Sequence, residues 1–157
     1  MLDQFEVLKT LHVLGAVIWV GGAATLQVFA IRTLSSGDET RLVETGPIFE
    51  WIGTRIFTPA SLIVLAMGIW MVIDRPDIGF GDEWILIGLA GITFSALVGS
   101  LFLGPETGRI AKLIEQHGPA NEEVQRRMRR IFLVSRIELV ILLIVVIDMV
   151  VRPGAPF

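Results

Sequence analysis

Four long apolar blocks, separated by charged connections, make up most of the chain: Leu11–Ile31, Ile56–Ile73, Trp84–Leu103 and Ile131–Val151. The first three contain no charged residue. The fourth holds Arg136, Glu138 and Asp148 around a charge-free stretch from Leu139 to Ile147. The first block has 21 residues, and a helix of that length rises about 31 Å, the hydrocarbon thickness of a bilayer. The pattern predicts an all-α polytopic membrane protein, a bundle of four transmembrane helices. Four spans leave no room for a separate soluble domain, so residues 1–157 are expected to form one domain.

The connections carry turn and capping residues. Between the second and third blocks, Pro76, Gly79 and Gly81 mark a short turn, and Asp82 is placed to cap the third helix. Asp38 can cap a helix running from Glu39 through Trp51 into the second block, with bends at Pro47 and Pro59. A helical pattern continues past Pro105 to Gln116, where His117-Gly118-Pro119 stops it, and Asn121 can cap the fourth helix. Helices three and four are therefore expected to project beyond the bilayer as a hairpin. Gly91, Ser95 and Gly99 form a small-residue ridge on the third helix that allows close approach of a neighbour. Trp70 and Trp84 fall at span ends, where indoles favour the headgroup level, and Trp19 lies mid-span.

Charge sets the expected orientation. Nine basic residues fall in the first and third connections, against three (Lys9, Arg75, Arg152) in the remaining flanks. By the excess of Lys and Arg on the cytoplasmic side, both termini should face outward and the hairpin should be cytoplasmic. Arg126, Arg127, Arg129 and Arg130 can attract anionic lipid headgroups, at about 1 kcal/mol each. The first block is expected to be a retained span, because Met1–Glu6 is acidic rather than basic. The absence of cysteine excludes disulfides, thiolate metal sites and a cysteine nucleophile. With a net charge of −3 and its basic residues confined to loops, the chain offers nothing to nucleic acid. The expected partners are the bilayer, its anionic headgroups and a second copy of the chain. No phosphate-binding loop, dinucleotide fingerprint or hydrolase motif is present, so no catalytic residue is assigned.

Within this frame His12 stands out, an imidazole inside an apolar span. Such a group needs a partner or a task. Gly15, Trp19 and Gly22 share its helix face. In the expected topology His12, Met67, Met71, Asp148 and Met149 all fall in the outward half of the bilayer. Imidazole and thioether suit copper(I) or a haem iron, and Asp148 could fix the imidazole tautomer from behind. Equally, His12 and Asp148 could simply hydrogen-bond to each other. Glu138, about two turns into the fourth helix, is expected to bond across to Gln27 or Arg32 or to relay protons.

The spacing Lys9-x-x-His12-x6-Trp19-x-Gly21-Gly22 resembles the first helix of a bacterial superfamily of small four-helix membrane proteins. The ending Arg136-Ile137-Glu138, followed by an apolar run and Asp148-Met149-Val150-Val151-Arg152-Pro153, is similar to its closing helix. The superfamily includes the CopD-type copper-resistance domain, HemJ-type protoporphyrinogen oxidases and an uncharacterised group of integral membrane proteins that matches best in length. The resemblance implies a bacterial plasma membrane location. In the HemJ type the matching histidine ligates haem b and a lysine in the third helix is essential; here the third block has no lysine. The leading expectation is a redox-accessory protein that binds haem b or copper at His12 and Trp19, with Met67, Met71 and Met149 as metal ligands and Asp148 and Glu138 behind them. The alternatives are a HemJ-like porphyrinogen oxidase and a structural or assembly protein without a ligand.

Overall fold

A computed structural model describes residues 3–37 and 47–153. Among these residues there are four long helices: α1 (Gln4–Ser36), α2 (Pro47–Asp74), α3 (Glu83–His117) and α4 (Glu122–Val151). The cap proposed at Asp38 and the start of the helix expected from Glu39 lie outside the described residues.

Local chemistry sets the helix ends. Asp3 and Glu6 form a reciprocal capping box at the start of α1, and Gly37 closes α1 in the left-handed conformation that glycine adopts without penalty. Asn121 caps α4 by accepting from the Glu123 N–H at 2.9 Å. Asp82 does stand at the N-cap position of α3, but its side chain bonds instead to the Gly79 N–H at 3.0 Å and braces the preceding turn. The helix bounds around Gly118-Pro119 are as expected: α3 runs through Pro105 to His117, and α4 begins at Glu122 after four intervening residues.

Helices α1–α3 each widen into one π-turn, at Val17–Gly21, Gly53–Phe57 and Val98–Leu103. Proline explains two of them. Pro59 and Pro105 lack the N–H that an α-helix needs, and their rings crowd the preceding turn. The turn upstream opens, so Thr58 bonds back to the Gly53 carbonyl and Gly104 to that of Gly99. The π-turn of α1 has no proline and ends against Gly22, where the Phe57 ring packs. Each extra residue rotates the face below it by about 100°.

The helices pair as two antiparallel hairpins. On α1, Gly15 receives Val64 and the Ala60 backbone, and Gly22 receives Phe57, which brings α1 close to α2. Gln4 bonds to Asp74 at 3.2 Å and the Arg75 guanidinium lies 4.6 Å from the Phe5 ring, closing that end. On α3, Gly88 receives the Met149 methyl and Gly91 receives Val145, both from α4. At the opposite end Ala30 of α1, Ile110 of α3 and Val124, Met128 and Phe132 of α4 form a buried core. Phe49 of α2 meets Phe132 edge-on at 6.5 Å. The two hairpins join here, whereas the first half of α1 packs chiefly on α2.

Two expectations change. Gly99 is not part of the α3–α4 ridge; nothing approaches its Cβ position, because the π-turn has altered the register there. Trp84 stands at the start of α3 but does not face outward as a belt indole; it is buried, with the Arg152 guanidinium 5.0 Å from its ring. Trp70 is half-exposed, as the end of a span requires.

By length and composition α1, α2 and α3 can each cross a membrane. Helix α4 has 30 residues, ample for a span, but Arg136, Glu138 and Asp148 interrupt its apolar run.

Candidate functional site

The apolar regions contain two polar centres, one in each hairpin. The first is His12. Its Nδ1 lies 2.8 Å from the Val64 carbonyl oxygen on α2. A carbonyl can only accept, so Nδ1 carries a proton, and in the neutral ring Nε2 keeps its lone pair. The contact depends on Gly68. A Cβ there would lie 3.1 Å from His12 Cε1 and 3.3 Å from Nδ1, so any larger residue would press on the ring. The imidazole is half-buried, and Val64 has the tautomer-fixing part foreseen for Asp148.

Met67 and Met71 belong to the same hairpin as His12, on the turns of α2 around Gly68. Met149 is elsewhere, its methyl filling the notch of Gly88 between α3 and α4. Asp148 beside it has a buried Oδ2 that accepts no hydrogen bond among the described residues. Trp19 is half-buried within the π-turn of α1. Among the described residues no three His, Asp or Glu side chains come together as a metal-binding group.

The second centre is Glu138. Buried Ser95 of α3 donates its hydroxyl to Glu138 Oε1. Neither Gln27 nor Arg32 is the partner. Gln27 is buried on α1, and its Oε1 has no partner among the described residues.

A third charged group lies beyond the apolar block of α3, and its central residue, Glu106, was not singled out from the sequence. Glu106 is 3% exposed and accepts from Arg127 of α4 at 2.7 Å and Arg109 at 3.2 Å. Burial alone would push its carboxyl up, but the two guanidiniums overcome this and hold it below the usual carboxylate range. Arg127 bonds Glu123 as well, which lowers the Glu123 carboxyl and raises Arg127 further. The available signal was Glu106 with Arg109 three residues later, just after Pro105 at the head of a helical segment. Of the four arginines assigned to headgroups, Arg126 and Arg127 are paired with Glu123, and Arg130 lies 5.1 Å from the Phe102 ring.

Three apolar helices of spanning length, with an imidazole and a carboxyl in the apolar regions, describe an integral membrane protein. The sequence model of a family described as "Predicted integral membrane protein (DUF2269)" matches residues 6–153. The chain belongs to this family. The description gives the family a membrane location and no activity. No curated protein and no solved structure matches the chain.

Proposed function

We propose that this member of the family is a redox-accessory membrane protein that binds haem b through Nε2 of His12. The observation that carries the reading is the Nδ1–H bond to the Val64 carbonyl. That bond orients the ring, selects the tautomer and raises the basicity of the opposite nitrogen, the usual support of a metal-bound histidine. Haem suits the donor set better than a protein-built copper site. Haem supplies four nitrogens of its own and asks the protein for one or two axial ligands. A copper site built from His12, Met67, Met71 and Met149 would have to draw on both hairpins. When bound, the haem would supply one-electron chemistry; the chain would hold it and exclude water, with Leu11 and Leu14 among the exposed apolar side chains flanking His12 on α1.

The same proposal includes the topology. Helix α4 crosses the bilayer beside α3, both termini lie outside a bacterial plasma membrane, and the α3–α4 turn is cytoplasmic. The match between α3 and α4 side chains from Trp84–Arg152 to Ser95–Glu138 supports this, since α3 is itself of spanning composition there. Exposed Arg129 and Arg130 then face anionic headgroups.

The test is the visible spectrum of protein purified from a haem-replete host. The wild type should show a Soret band that His12→Ala loses while still inserting and staying folded. A colourless wild-type protein would overturn the haem reading.

A further inference from the structure

We propose that the face of α4 turned away from α3 holds one anionic phospholipid, its phosphate between Arg129 and Arg136 and an acyl chain along Val140, Leu143 and Ile147. The site deepens the reading of α4 as a span whose first turns face anionic headgroups, and rests on it. It is independent of any ligand at His12.

Glu138 on Ser95, Val145 on Gly91 and Met149 on Gly88 mark the side of α4 that meets α3. At 100° per residue, Arg129, Leu133, Arg136, Val140, Leu143 and Ile147 fall within about 40° of one line on the opposite side. All six are exposed. The two cations come first, towards the α3–α4 connection, with Leu133 between them. Beyond Arg136 the line carries only aliphatic side chains. Charge followed by a long apolar strip is the order in which a phospholipid presents its phosphate and its acyl chains.

Arg136 lies five residues past Ile131, where the apolar block begins, about 7.5 Å of rise into it. Side chains leave a helix tilted towards its N-terminus, so Arg136 is directed back towards Arg129, seven residues or about 10 Å of rise away. Its aliphatic stem can run along the apolar face while the guanidinium stays near the headgroup level. The neighbouring arginines are engaged: Arg126 and Arg127 by Glu123, Arg127 also by Glu106, and Arg130 by the Phe102 ring. Arg129 and Arg136 have no such partner among the described residues. A guanidinium keeps its charge in these surroundings, and a phosphate supplies both the countercharge and the acceptor oxygens it lacks.

A second copy of the chain fits this face less well. Its other apolar blocks, 11–31, 56–73 and 84–103, carry no acid that could meet Arg136. Its Glu138 is turned to Ser95 on the far side of α4, and its Asp148 lies twelve residues from Arg136, about 18 Å of rise away. Nor does the strip hold the small residues that let two membrane helices approach closely.

The test places the full chain in mixed micelles with equal amounts of phosphatidylglycerol and phosphatidylcholine and counts retained lipid by native mass spectrometry. The wild type should retain one phosphatidylglycerol in preference to phosphatidylcholine. Arg136→Gln should weaken that retention about fivefold or more, with an unchanged circular dichroism spectrum. Arg136→Lys should keep most of it. Lys112→Gln, which removes an exposed cation of α3 near the same end, should leave it unchanged. The same two lipids with a photoactivatable diazirine in one acyl chain locate the site: phosphatidylglycerol should mark Val140–Ile147 more heavily than phosphatidylcholine, and Arg136→Gln should level the two. No preference in the wild type, or a preference that Arg136→Gln leaves intact, would overturn the proposal. So would a changed oligomeric state in Arg136→Gln at unchanged lipid retention, which would give the face to a protein partner. Equal marking by both lipids in the wild type would overturn the site and leave α4 a span. Marking of Val140–Ile147 by neither lipid would show that α4 is not a span, and both readings would fall.

Discussion

Glu106 and Arg127 show how unequal the two members of an ion pair can be. The Glu106 side chain is 4% exposed and that of Arg127 is 31% exposed. Arg127→Ala strands a carboxylate with only the outlying Arg109, whereas Glu106→Ala leaves an arginine that can turn to water and to Glu123. Removing one partner of a buried pair destabilises chiefly by stranding the more buried charge, so Arg127→Ala should cost clearly more than Glu106→Ala. Unfolding in detergent, followed by circular dichroism, measures both. The pH dependence has a definite sign. The folded Glu106 carboxyl titrates below its unfolded value of about 4.3. Its contribution is therefore complete above that pH and is lost as the pH falls through the lower, folded value. Wild-type stability should drop in that acid window, and Arg127→Ala should flatten the drop.

The π-turns decide which side chains meet. Periodicity at 3.6 residues correctly grouped His12, Gly15 and Gly22 towards a neighbour, and the structure names that neighbour as α2. It failed for Glu138, which was matched to Gln27 and Arg32. A regular wheel carries no added residue at Val17–Gly21 or Val98–Leu103, and it cannot rank Ser95 of α3 above Gln27 of α1. Pro59 was readable as a bend and Pro105 as a position the helix passes, but the widening upstream of both was not. Glycine notches were legible as small residues; what fills them became known only with the pairing of helices. The Phe57–Gly22 contact tests the α1–α2 pairing. A Cβ at Gly22 would lie 2.6 Å from Phe57 Cε1, so Gly22→Leu should destabilise by about 1–3 kcal/mol, the usual cost of overpacking. Adding Phe57→Ala should recover a substantial part of that loss. Full additivity of the two changes in a double-mutant cycle would contradict the contact.

For the molecule as a whole, the helical class, the membrane location and the break between α3 and α4 at Gly118-Pro119 were legible in the chain; the division into two hairpins joined at one end came from the structure. The proposed sidedness rests on charge alone, nine basic residues in the first and third connections against three in the other flanks. A reporter active only in the cytoplasm should be silent at the C-terminus and active when inserted at Gly118. The reverse pattern would place His12 on the cytoplasmic half. The proposed haem binding depends most on the state of one ring, the His12 imidazole held by Val64 over Gly68. Nitrogen-15 NMR of histidine-labelled protein in bilayers reads that state directly. His117→Gln leaves His12 as the sole signal, since the chain has two histidines. The account predicts a protonated Nδ1 and a bare Nε2 in ligand-free protein, with the Nε2 resonance shifted when haem is added. A proton on Nε2, or an Nε2 signal indifferent to haem, would contradict it.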